Sequence, residues 1–190
     1  MTIEELSHLY RSRSFGFYYC DQRDDALSLL KVLIPKGSSA SIGGSVTLQQ
    51  CGIQNWLETW FAGKYLDRYT QQTDEVFKAA LTCDVYLSSC NAFTKQGALH
   101  FMDRTGNRVA PIAYGPKKVF IVTGINKLVD DDQAALDRIN TIAAPLNASR
   151  LSNLQGTLIE PSSLCKKHLI VRDGDDKRIN MIVINESLGY

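Results

Sequence analysis

The run Val119-Phe120-Ile121-Val122-Thr123 constrains the fold more than any other stretch of the chain. A strand exposed on one face alternates apolar and polar side chains. A strand buried on both faces reads as an unbroken apolar run, and such strands belong to parallel sheets layered on either side. The surrounding segments fit that architecture. Thr2 and Glu5 form a capping-box pattern ahead of a helix reaching about Arg13, and the aromatic stretch 15–20 reads as a strand. Residues 21–34 place Ala26, Leu29, Leu30 and Leu33 at helical spacing before Pro35 and Gly37 end the helix. Strands follow at 38–42 and 84–87, an edge strand at 65–69, and another strand at 98–102 after the turn at Gly97. Helices are expected at 46–51, 53–61, from Thr73, at 109–114 and at 130–142. Segments 168–172 and 179–184 read as a terminal hairpin across Asp173-Gly174. The alternation predicts an α/β fold, a mostly parallel sheet flanked by helices with a C-terminal hairpin. With no repeat, linker or low-complexity tract, residues 1–190 are expected to form one domain.

Composition narrows the partners. A formal net charge of +1 supplies no global field toward nucleic acid or an anionic membrane, and no segment reaches the roughly 20 apolar residues of a bilayer span. Five cysteines, at 20, 51, 83, 90 and 165, form no C-x-x-C pair. Together with an acidic N-terminus, this predicts reduced thiols and a cytoplasmic protein. His8, His100 and His168 lie far apart in sequence, so no histidine metal site is expected. Asp130-Asp131-Asp132 reads as helix capping. Trp56 and Trp60, four residues apart, read as a packed helix face or as a surface for homo-oligomer formation.

Two regions carry candidate chemistry. Ile42-Gly43-Gly44-Ser45-Val46-Thr47 joins a predicted strand to a predicted helix. Amides at Gly43, Gly44 and Ser45, next to a helix start, can receive a phosphate or carboxylate. The same residues serve equally as a tight turn with a serine cap, and the loop lacks both the G-x-G-x-x-G and the P-loop lysine patterns. Further on, Ser88-Ser89-Cys90-Asn91-Ala92-Phe93-Thr94, then Asp103-Arg104-Thr105-Gly106-Asn107-Arg108 and Gly124-Ile125-Asn126-Lys127, gather polar groups at strand ends on one predicted side. Arg108 can clasp an anion with two hydrogen bonds, and Lys127 can add an ammonium. Asn91, Thr94, Asn107 and Asn126 can orient polar groups. Asp103 can be a base, a hydroxyl acceptor or the anchor of Arg108. Turn chemistry alone also accounts for such residues. Cys90 has no histidine nearby in sequence to activate it and reads as packing.

These motifs resemble a known family. The glycine loop, Asn91-Ala92-Phe93-Thr94 with Gly97, Asp103 with Gly106-Asn107-Arg108-Val109-Ala110, Gly115-Pro116-Lys117-Lys118-Val119, Gly124-Ile125-Asn126-Lys127, Ala143-Ala144-Pro145-Leu146-Asn147-Ala148 and Leu188-Gly189-Tyr190 occur in the order found in the LUD (lactate utilisation) domain. The family includes lactate-utilisation protein C. The resemblance implies the NagB/RpiA/CoA-transferase-like fold, a site for a small anionic molecule, phosphate-bearing or CoA-type ligands among them, and a link to lactate or 2-hydroxy-acid use. It also implies iron–sulfur lactate-oxidation proteins as partners, for which the chain would be either a ligand-binding protein or a non-catalytic accessory subunit. If the chain is catalytic, Asp103 is the candidate acid/base. Many stand-alone members carry a cysteine-rich segment after the Ala-Ala-Pro-Leu-Asn-Ala stretch. Here residues 151–166 hold only Cys165, so no metal or cluster is expected to be bound by this chain alone.

Overall fold

A computed structural model describes residues 1–61, 63–68 and 73–190. In chain order the elements are α1 (Ile3–Ser12), β1 (Gly16–Cys20), α2 (Arg23–Leu33), β2 (Ala40–Ile42), α3 (Val46–Gln50), α4 (Ile53–Trp60), β3 (Tyr65–Leu66), α5 (Asp74–Ala79), β4 (Val85–Ser88), β5 (Ala92–Thr94), β6 (Leu99–Asp103), α6 (Val109–Ala113), β7 (Lys118–Gly124), β8 (Leu128–Val129), α7 (Asp132–Arg138), α8 (Ala144–Gln155), β9 (Lys167–Val171) and β10 (Ile179–Ile184). The local signals operate as read. Thr2 and Glu5 close a reciprocal capping box on α1, Ser45, Thr73 and Asp131 cap α3, α5 and α7, and Gly52 takes the left-handed conformation that separates α3 from α4. The expected edge strand is present as β3, and its predicted end, Tyr69, lies outside the described residues.

The main sheet is parallel throughout, in the order β1-β10-β7-β4-β2-β3. Strand β7 is buried on both faces, as its unbroken apolar run demands. Phe120 and Val122 join a core with Leu30, Leu48, Ile53 and Leu57 under α2, α3 and α4. Val119 and Ile121 face the opposite side, where Leu6 and Tyr10 of α1 meet Phe93, Leu99 and Phe101. That second face is therefore covered by helices and by a further sheet, ordered β8-β5-β6-β9, which the simple alternation did not anticipate. Its origin is local. Only four residues separate β5 from β6, with Gly97 at φ +80°, too few for a parallel crossover, so the two strands pair antiparallel. The two C-terminal strands follow each other across the Asp173-Gly174 turn as read, but they ladder with different neighbours: β9 runs antiparallel to β6, whereas β10 inserts between β1 and β7. The expected helix at 130–142 continues further, through a π-helical segment, Ile139–Ala143, into α8.

The small sheet also joins two histidines that the sequence separates. His100 on β6, fully buried, places Nδ1 3.1 Å from Nε2 of the exposed His168 on β9 and Nε2 3.0 Å from Oδ1 of Asp132 at the start of α7. Arg172 holds the same carboxylate from the other side. Burial lowers both imidazole pKa values below their ordinary value, with Arg172 adding to the shift at His100 and His100 to that at His168, against the pull of Asp132. Unfolded histidine thus binds protons that the folded pair refuses, so stability is retained above about pH 6.5 and falls as the pH drops through that value. The melting temperature should decline between pH 7.5 and pH 5.5, and His168→Gln should shrink the decline. Identical profiles for the two proteins would refute the coupling.

Candidate functional site

Three adjacent strands of the main sheet, β2, β4 and β7, end on one side of the molecule, where ligands of open parallel sheets bind. The loop after β2 supplies Gly44 and Ser45, the loop after β4 supplies Ser89 and Asn91, and the short turn after β7 supplies Lys127. The end of β6 and the start of α6 add Asp103, Asn107 and Arg108. All of these line a hollow of about 490 Å³.

Lys127 is 2% exposed. Its Nζ donates to Thr47 Oγ1 at 3.0 Å, Ser89 Oγ at 3.0 Å and the Cys90 carbonyl at 3.2 Å. All three ammonium hydrogens find acceptors, but none of those acceptors carries charge. Desolvation accordingly lowers the pKa to about 8, with Arg138 and Arg108 nearby pushing the same way.

Arg108 is arranged differently. Nε donates to Asp103 Oδ1 at 2.9 Å, Nη1 to the Ser89 carbonyl at 3.3 Å, and Nη2 to Asn91 Oδ1 at 2.7 Å and the Met102 carbonyl at 2.8 Å. The other oxygen of Asp103 accepts the amides of Arg108 and Val109, both at 2.9 Å. Of the three roles open to Asp103, this geometry is that of the anchor, with both carboxylate oxygens engaged. The guanidinium in turn holds the loops after β4 and β6 together. It is therefore an architectural clamp whose positive charge faces the hollow, not a free fork for a ligand.

Asn91 is a node of the same network: its side chain accepts from Met102 N as well as from Arg108, and its carbonyl accepts from Arg138 Nη1 at 2.6 Å. The glycine loop divides between two tasks. The Gly43 amide is taken by the Leu87 carbonyl. A Cβ at Gly43 would lie 2.7 Å from Ser88 Oγ and 2.9 Å from Arg108 Cγ, so glycine there permits the clamp to pack. The Gly44 and Ser45 amides have no hydrogen-bond partner among the described residues. Helix α3 is five residues long, close to the short helix expected at 46–51, and so brings only a small dipole to aid an anion.

Three expected site residues fall outside the lining. Gly43 lies beneath the loop. Thr94 is fully buried, its hydroxyl accepting from Ala98 N and its amide donating to Tyr10 Oη. Asn126 turns its Oδ1 to the Leu188 amide. Conversely, several lining residues carried no chemistry in the sequence reading: Arg68, Arg104, Thr47, Asn147, Arg150 and Tyr190. Arg150 Nε donates to Tyr190 Oη at 2.8 Å, so Tyr190 closes over the α8 side of the hollow. Buried Arg138 was also missed, although its place three residues after buried Ala135 on one helix face was the available signal.

Among the described residues, the lining carries five basic side chains and one carboxylate, that of Asp103, which Arg108 already binds. Among the same residues, no group of three His, Cys, Asp or Glu side chains is placed to hold a metal ion, and no helix is long and apolar enough to cross a membrane. Cys90 Sγ lies 3.4 Å from Thr123 Oγ1 in the core.

The model of the LUD domain family matches residues 3–184. No curated protein matches the chain. Among solved structures, the fold is similar to the crystal structure of a DUF162 family protein from Deinococcus radiodurans, with a TM-score of 0.59 and 11% sequence identity over 97% of this chain and 99% of that one.

Proposed function

Because the chain belongs to the LUD domain family, we propose that its hollow binds a small anionic metabolite and that the protein serves lactate or related 2-hydroxy-acid utilisation in the cytoplasm. The observation that carries this reading is charge. The whole chain is close to neutral at +1, yet the lining holds five cations against one already-bound carboxylate. Lys127 is buried among neutral acceptors, and burial of a cation without a counter-charge is costly. A bound carboxylate or phosphate would provide that counter-charge. The free amides of Gly44 and Ser45 would add hydrogen bonds, and Asn107 would help orient polar groups.

The test is a thermal-shift panel on the isolated chain with lactate, pyruvate, a sugar phosphate and an acyl-CoA. A ligand at a hundred times its Kd should raise the melting temperature by roughly 5–10 °C. No shift with any of them would remove the reading. A shift that appears only once iron–sulfur lactate-oxidation proteins are added would make the chain an accessory subunit.

A further inference from the structure

The hollow has a second wall that an anion alone leaves unexplained. Opposite the charged loops run the π-helical segment and α8, and the residues they turn inward include Ile139, Ala143, Ala144, Leu151 and Leu154, with Leu164 beside them. Burial decreases along this wall. Ile139 and Ala143 are 1% and 2% exposed, whereas Leu154 is 70% exposed. From Ala144 to Leu154 the helix advances about 15 Å at its usual rise per residue. The π segment is part of this arrangement, since one wider turn rotates α8 relative to α7, and such turns are frequent at functional sites. Size points the same way. At roughly 30 Å³ for each water-sized group, the heavy atoms of lactate would fill well under half of 490 Å³.

We propose that the ligand is an amphipathic acid, a 2-hydroxy or 2-oxo acid with an aliphatic chain of medium length. Its carboxylate sits by Lys127 and Ser89, and its hydrocarbon lies along Ala143, Ala144, Leu151 and Leu154 toward solvent. The inference rests on the anion reading above and specifies its substrate class. It also accounts for leucine at position 154, which makes little use of the core.

Titration calorimetry of the whole chain with lactate, 2-hydroxyhexanoate and 2-hydroxyoctanoate tests it. Each added methylene that leaves water should tighten binding about three- to fourfold, so the six-carbon acid should bind about thirtyfold or more tightly than lactate. Leu154→Asn, at an exposed position where the fold is insensitive, should weaken the eight-carbon acid several-fold more than it weakens lactate. Equal affinities for all three acids would overturn the amphipathic ligand while leaving the anion site standing. No binding by any of them would overturn the hydroxy-acid ligand, and a thermal shift with the sugar phosphate or the acyl-CoA would then keep the anion site, whereas its absence would overturn that too. A chain-length gain untouched by Leu154→Asn would overturn the assignment of this wall.

Discussion

Asp103→Ala should destabilise the protein by about 3–5 kcal/mol, the cost of leaving a buried cation without its partner. Asp103 and the Arg108 side chain are 8% and 11% exposed, so solvent cannot replace the lost carboxylate. The change also strips two amides at the start of α6 of their acceptor. Against a total stability of roughly 5–15 kcal/mol, a loss of this size should appear as a large drop in the urea midpoint. The double variant Asp103→Ala/Arg108→Ala should recover part of it, because no unpaired charge is then left behind. A single variant that loses less than about 1 kcal/mol would mean that the clamp is not what holds the loops after β4 and β6 together. The same geometry bears on Arg108→Ala. Such a variant should lose stability as well as any ligand, so its binding data need a folding control.

Lys127→Met should act in opposite directions on stability and on binding. The ammonium pKa is lowered from 10.5 to about 8 by burial, which corresponds to about 3 kcal/mol of disfavoured charge at 1.36 kcal/mol per pH unit. Methionine removes that charge while filling similar space, at the cost of about 1–2 kcal/mol for Thr47, Ser89 and the Cys90 carbonyl, each of which loses a donor. The unliganded variant should therefore be slightly more stable than the parent at pH 7, by about 1 kcal/mol. Anion affinity should nevertheless fall at least tenfold, since the charge facing the ligand is gone. The pH dependence is set by the direction of the shift. Unfolded lysine holds its proton up to about 10.5, whereas the folded group gives it up near 8. Parent stability should accordingly rise relative to the variant between those values, and parent affinity for an anion should decline as the pH climbs through 8. Equal anion affinity in the parent and in Lys127→Met would remove Lys127 from the site.

How much of the molecule is legible in its sequence depends on the range of the interactions. Capping by Thr2, Ser45 and Thr73 and the buried register of Val119 to Thr123 depend on neighbours within a few residues, and periodicity displays them directly. The concentration of Gly44, Ser45, Asn91, Asp103, Asn107, Arg108 and Lys127 around one hollow was legible because strand ends of a parallel sheet share a side. The direction in which a side chain turns was not legible. Thr94 and Asn126 occupy strand ends too, but their polar atoms satisfy backbone amides within the fold. The pairing of His100 with His168 across β6 and β9, and the closure of Tyr190 onto Arg150, bridge 68 and 40 residues. No local pattern encodes such contacts. The four-stranded sheet was hidden for a related reason: β5 and β8 are three and two residues long, too short for periodicity to register.

The position of β10 has a consequence for synthesis of the protein. Residues 179–184 fill the gap between β1 and β7, so β1 leaves the ribosome long before the strand that will pair with it. Until then β1 and β7 present bare backbone edges and apolar faces, a state open to mispairing with other chains. Contacts of such long separation are also slow to form. The main sheet thus stays open until residue 184 has emerged, and a nascent chain stalled before residue 179 would be a natural client for chaperones that shield extended apolar segments.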